Sequence, residues 1–143
     1  MSDKEDDMDN PFVGTWTLNP ARSDYDANHK PVEGTMTWEL DQDGGYVLLA
    51  EGVNEKGERC TEQPQRLRPD GMAYPVAGLP GLTSVTTHPN PNVIRAEAKR
   101  EDGSLAGEGT YVVAADGRTM IASTRGFDSQ LREFTMKTVW DRV

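Results

Sequence analysis

Cysteine is nearly absent: Cys60 is the only one in 143 residues. A lone thiol excludes an internal disulfide framework and any multi-cysteine zinc or iron–sulfur site. Long apolar runs are missing as well. Nothing approaches the roughly 18 consecutive apolar residues that a membrane-crossing helix needs. Positive charge is scarce, with 15 Lys and Arg against 24 Asp and Glu and a net charge of −9. A nucleic-acid protein needs a basic face for phosphates, so that class is excluded, and anionic membranes are disfavoured for the same reason. Hydrophobic residues reach only 35% of the chain, and 14 glycines accompany them. Counted with glycine, the apolar share is about that of an average globular chain. The apolar material is thus thin and rich in small residues, in a length that suits one domain with a real core.

Residues 1–10 form an acidic leader without apolar period, expected to be flexible and to precede a single domain over 11–143. The chain opens without the pattern of a signal peptide. As written it is expected in the cytoplasm, or in the periplasm or outside the cell if a signal has been removed.

What the sequence does hold is punctuation. Asp43-Gly44, Lys56-Gly57, Asp70-Gly71, Asp102-Gly103 and Asp116-Gly117 read as hairpin turns, because glycine tolerates the positive φ that tight hairpins require. Between them the apolar residues recur with period two. Gly14, Trp16 and Leu18 share one face, as do Met36, Trp38 and Leu40, and Phe134, Met136, Thr138 and Trp140. Ile94, Ala96 and Ala98 alternate with Arg95, Glu97 and Lys99. Further segments are Tyr46–Val53, Arg59–Arg68, Leu82–Thr87, Leu105–Ala115 and Thr119–Phe127. No helix is expected beyond one short 3-10 or helical turn opened by Pro20. The pattern predicts an all-β chain, an antiparallel up-and-down β-barrel of about 8–10 strands with little or no helix. A sandwich is the alternative; nearest-neighbour hairpins favour the barrel.

Phe12-Val13-Gly14-Thr15-Trp16-Thr17-Leu18 resembles the Phe-x-Gly-Thr-Trp-x-Leu opening of fatty-acid-binding proteins and, more loosely, the Gly-x-Trp opening of lipocalins. The end, Phe134 to Val143, resembles the closing strand of that calycin superfamily. Gly14-Thr15-Trp16-Thr17-Leu18-Asn19-Pro20-Ala21-Arg22-Ser23 and Asp70-Gly71-Met72-Ala73-Tyr74-Pro75-Val76-Ala77-Gly78 are similar to segments of small, largely uncharacterised bacterial lipocalin-like proteins. The resemblance implies a barrel whose first and last strands pair. It also shows departures. Fatty-acid-binding proteins carry an Arg-x-Tyr on the closing strand that grips a carboxylate, and Thr138-Val139-Trp140 stand there instead. Haem-binding relatives use a late histidine, and the last one here is His88.

The candidate ligand-lining residues are Met36, Trp38, Leu40, Phe134, Met136, Thr138 and Trp140, since aromatic and methionine side chains suit apolar ligands. The small residues Ala106, Gly107, Gly109, Ala114, Ala115, Ala122 and Ser123 cannot fill a barrel of this size, which points to a cavity. No metal site is expected: Asp24, Asp26 and His29 match no known ligand spacing, and Asp41 to Gly45 lacks the closing Glu of a calcium loop. His29 and His88 read as solvated turn residues, and Cys60 as inert. Glu39, Glu51, Glu62 and Glu108 are the strand carboxylates that a catalytic reading would need. The function expected is a non-enzymatic binding protein, with no cofactor, for a small apolar or amphipathic molecule held inside the barrel. It would be a monomer or homodimer, without nucleic-acid partner or membrane insertion. The alternatives are a barrel enzyme (isomerase, cyclase or hydratase) and a non-catalytic interaction module.

Overall fold

The structure, a computed structural model, describes residues 10–24, 31–42, 44–54, 56–61, 65–76, 80–127 and 132–143. The acidic leader up to Asp9, the loop with Asp26 and His29, Glu62, and Ala77 to Leu79 lie outside the described residues.

The chain is all-β. Its strands are β1 (Gly14–Leu18), β2 (Pro31–Leu40), β3 (Tyr46–Asn54), β4 (Arg59–Thr61), β5 (Gln65–Leu67), β6 (Ala73–Pro75), β7 (Thr83–Asn90), β8 (Val93–Lys99), β9 (Leu105–Val113), β10 (Thr119–Phe127) and β11 (Glu133–Arg142). They form one antiparallel sheet in the order β4-β3-β2-β1-β11-β10-β9-β8-β7-β6, with β5 also pairing β3. The first and last strands are therefore neighbours, as Leu18 opposite Trp140 and Trp16 opposite Arg142 show. Among the described residues the one helical element is a 3-10 turn, Pro20–Arg22.

Glycine sets the tight turns. Gly44, Gly57, Gly103 and Gly117 have φ of 84°, 78°, 86° and 73°, in the left-handed region that a Cβ disfavours. In two of these turns the preceding aspartate accepts a backbone N–H two residues on, Asp102 from Ser104 and Asp116 from Arg118. Gly71 has the same conformation, φ 77°, but its turn is not a hairpin. β5 pairs with β3 while β6 pairs with β7, so Asp70-Gly71 bridges the two ends of the sheet. Arg59–Arg68, expected as one strand, is split into β4 and β5. Ala73–Pro75 forms a strand that the sequence pattern did not single out, because three residues ending in proline carry no readable period.

Cross-strand partners share a face, so the burial of Trp16 fixes the inward side of the whole sheet. Trp16 lies opposite Met36, and Met36 opposite Ala50. Trp140 lies opposite Met120, Ala122 opposite Tyr111, and Tyr111 opposite Ile94. The buried core is Phe12, Trp16, Met36, Trp38, Tyr46, Leu48, Leu67, Ile94, Val113 and Met120. By strand register most of these gather at one end of the sheet, where β2 turns into β3 and β9 into β10. Rings of this kind bury about 150–250 Å² each and dominate core energetics.

Candidate ligand-binding site

The packed end is a floor. Trp38 meets Phe12, Tyr46 and Tyr111 with ring centroids 5.3, 5.6 and 5.1 Å apart. Residues 10–13 run across this floor and are tied to it. Asn10 Nδ2 donates to the Tyr46 hydroxyl (2.8 Å), and Trp16 Nε1 donates to the Phe12 carbonyl (3.1 Å). Burial raises the Tyr46 phenol above its ordinary pKa, and the Asn10 bond opposes that shift in part.

Arg142 completes the closure. Its guanidinium sits 4.2 Å from the Trp16 ring centroid, a cation–π contact. It donates to the carbonyls of Gly117 (2.7 Å), Val13 (2.8 Å) and Pro11 (2.5 Å). One side chain thereby joins the N-terminal segment, the β9–β10 turn and the last strand, and its burial lowers the guanidinium pKa from the usual value.

His88 belongs to the floor, not to a solvated turn. It lies in β7, half-buried, with its ring 5.9 Å from Phe12. Nδ1 is 2.6 Å from the Asn90 carbonyl and Nε2 is 3.4 Å from the Tyr46 hydroxyl. The bond to a carbonyl places the proton on Nδ1. The turn residues around His88 concealed this, because β7 runs on through Pro89 to Asn90.

The opposite half of the inward face is different. Ala96, Ala98, Gly107, Gly109, Thr124 and Met136 point inward by register and are only partly buried. The sheet is thus a cup, packed at the floor and accessible above it. Of the small residues singled out in the sequence, Gly107, Gly109 and Ala122 lie on this inward face. Ala106 and Ser123 take the opposite register, and Ala114 and Ala115 are exposed in the β9–β10 turn. Ala96, Ala98 and Gly126 are inward positions not counted among them, hidden from simple inspection by alternation with charged or bulky neighbours.

Three aromatic rings lie along the cup wall where a neighbour has no side chain. A Cβ on Gly34 would come within 3.2 Å of Trp140 Cη2, one on Gly126 within 3.0 Å of Phe134 Cζ, and one on Gly109 within 3.7 Å of the Tyr111 hydroxyl. Trp140 Nε1 donates to Thr138 Oγ1 (2.9 Å), and that hydroxyl is 3.4 Å from the Ala122 carbonyl. Of the candidate lining residues, Met36 and Trp38 are buried in the floor and Leu40 packs beside it. Trp140, opposite Met120, packs against the floor as well, while Phe134, Met136 and Thr138 face the accessible half. The structure does not gather all seven at one level of the cup.

Charge is kept outside. Arg95, Glu97, Glu108 and Arg125 alternate across β8, β9 and β10 on the outer face. Arg95 reaches Glu97 (3.4 Å) and Glu108 (3.2 Å), and Arg125 reaches Glu108 (3.3 Å). The two arginines offset the like-charged pair Glu97 and Glu108, which stand directly opposite each other. A groove of about 510 Å³ takes in Glu108, Ser123, Arg125 and Lys137 of outward register together with Thr124 and Met136 of inward register. Arg125 and Glu108 pair within it, and Asp24 and Lys137 exchange backbone hydrogen bonds. Among the described residues no three His, Cys, Asp or Glu side chains converge as metal ligands, and no helix is long and apolar enough to cross a membrane.

No family model matches the chain, and no curated protein matches it in sequence. Solved structures do match in shape. Wild-type fluorescent protein UnaG is 11% identical, with a TM-score of 0.61 over 92% of this chain and 97% of that one. As-p18, an extracellular fatty acid binding protein, is 11% identical, with a TM-score of 0.54 over 94% and 97%. Zebrafish ileal bile acid-binding protein complexed with cholic acid is 7% identical, with a TM-score of 0.53 over 93% and 99%. With adjacent first and last strands in one curled antiparallel sheet, the chain has the fold of the fatty-acid-binding-protein-like calycins.

Proposed function

We propose that the protein binds one small apolar or amphipathic molecule in the open half of the cup and carries no catalytic step. The observation that carries this reading is the contrast between the two halves of the inward face. Rings close the floor, while Ala96, Ala98, Gly107 and Gly109 leave the wall above it thin and accessible. A barrel of about this size either fills its interior with side chains or holds one small ligand. Similarity in shape to a fatty acid binding protein and a bile acid-binding protein supports the same reading. One chain builds the entire cup, so one chain is the binding unit in a monomer or a homodimer.

A catalytic alternative finds no support in the described strand carboxylates. Glu39 and Glu51 are exposed, and Glu108 is held in the outer ion-pair row. The test is titration with the neutral dye N-phenyl-1-naphthylamine. Saturable fluorescence enhancement, reversed by an unlabelled apolar competitor and abolished in a folded Ala98→Phe variant, is the expected result. A folded wild-type protein that gives no displaceable enhancement overturns the proposal.

A further inference from the structure

The cup sorts its polar groups by charge. Among the described strand residues, inward register positions hold no Asp, Glu or Lys, and the two basic side chains there, Arg142 and His88, are both in the floor. Both are committed: Arg142 to three carbonyls and Trp16, His88 to Asn90 and Tyr46. Among the described strand residues, the inward positions of the accessible half offer only neutral polar groups. Thr138 Oγ1 accepts one short bond from Trp140 and has a long contact to a carbonyl, so it retains hydrogen-bonding capacity. Thr124 lies on the adjacent strand, one inward position further from the floor, opposite Met136. In the floor itself, Trp38 Nε1 is a buried donor with no hydrogen-bond partner.

From this distribution we infer that the ligand is an uncharged amphipath, an apolar body bearing a hydroxyl or carbonyl group, anchored by Thr138 and Thr124 on the wall formed by β10 and β11. This rests on the binding function proposed above and narrows it. An anionic headgroup drawn into the cup would give up its hydration with no free cation at the described inward strand positions to replace it, and burial of an unpaired carboxylate is strongly unfavourable. A neutral hydroxyl needs only a neutral partner, and two threonines supply it.

The experiment displaces N-phenyl-1-naphthylamine with decanol and with decanoate at pH 8, each at low and high salt. High salt screens the repulsion that a chain of net charge −9 exerts on any anion. Decanol is expected to displace the dye at a concentration at least tenfold lower than decanoate under both conditions. Thr138→Val and Thr124→Val are each expected to weaken decanol at least threefold more than they weaken the dye; Thr138→Val also lowers Tm, because it strands Trp140 Nε1. That second readout separates hydrogen bonding from the greater hydrophobicity of the alcohol. Equal or tighter binding of decanoate overturns the inference, as does decanol binding unchanged in both valine variants. Failure of the dye itself to bind is a different result, and it removes the proposed function instead.

Discussion

The indole of Trp140 lies against the backbone of Gly34, close enough that a Cβ on Gly34 would sit 3.2 Å from its Cη2 atom. Trp140 belongs to the last strand and Gly34 to the second, with Leu18 of the first strand between them. The edge of the ring fits there because the glycine leaves room, so the glycine bears on the width of the cup two strands away.

Adding that methyl group therefore acts on binding. In Gly34→Ala, and likewise in Gly126→Ala beside Phe134, the ring must give way by a few tenths of an ångström. Overpacking of this kind costs about 1–3 kcal/mol. Dye affinity is expected to fall several-fold in either variant, and the urea midpoint to fall in keeping with that cost. A dye titration beside urea unfolding checks both.

Arg142 predicts a larger loss. Its three carbonyl bonds and its place over Trp16 tie the N-terminal segment to the β9–β10 turn. Arg142→Met removes a charged donor from three carbonyls, and each such bond is worth about 1.5–3 kcal/mol. A loss of roughly 3 kcal/mol or more is expected in urea unfolding. Arg142→Lys should recover only part of it, because an ammonium lacks the planar fork that reaches all three.

The two floor tryptophans are predicted to differ. Trp16 Nε1 serves the Phe12 carbonyl, whereas Trp38 Nε1 is buried without a partner. Phenylalanine at either position shortens the ring, but only Trp16→Phe also strands a carbonyl, at about 1–3 kcal/mol. Thermal unfolding of the pair should show Trp16→Phe as clearly the more damaging.

The exposed pair Asp70 and Tyr74 sets a pH window. The Tyr74 hydroxyl donates to the Asp70 carboxylate, which holds the carboxyl below its ordinary 3.8 and the phenol above its ordinary 10.0. Asp70 contributes stability that is present above 3.8 and lost as pH falls through its depressed value. Tyr74 contributes stability that is present below 10.0 and lost as pH rises through its raised value. The Tm difference between wild type and Tyr74→Phe should therefore be largest between those limits and shrink at both extremes. A difference that does not change with pH would show that the bond contributes nothing.

Much of the fold was legible because it is local. Alternation at Gly14, Trp16 and Leu18, or at Ile94, Ala96 and Ala98, states which face is buried without reference to any other strand. The turn glycines announce their own backbone angles. What was hidden depends on distant partners. Arg142 looks like an ordinary charged residue near the end of a strand until Pro11, Val13 and Gly117 are placed around it. Met36 and Trp38 have the same pattern as Met136 and Trp140, yet Met36, Trp38 and Trp140 pack in or against the floor while Met136 faces the accessible half. Asp70-Gly71 has the signature of a hairpin, and only the pairing of β5 with β3 shows that it crosses between sheet ends.

That crossing has a topological meaning. Along the sheet the strands run β4, β3, β2, β1, β11, β10 and so on to β6. The order is one unbroken meander, except that the chain is interrupted at its centre and joined instead through Asp70-Gly71. A circular permutant opened there, with a linker across the old ends, would make nearly every strand pair a sequence neighbour. The pairing of β1 with β11, now the most distant in the chain, would become a local contact. Folding rates fall as contacts become less local, so such a permutant is expected to refold faster than the parent chain.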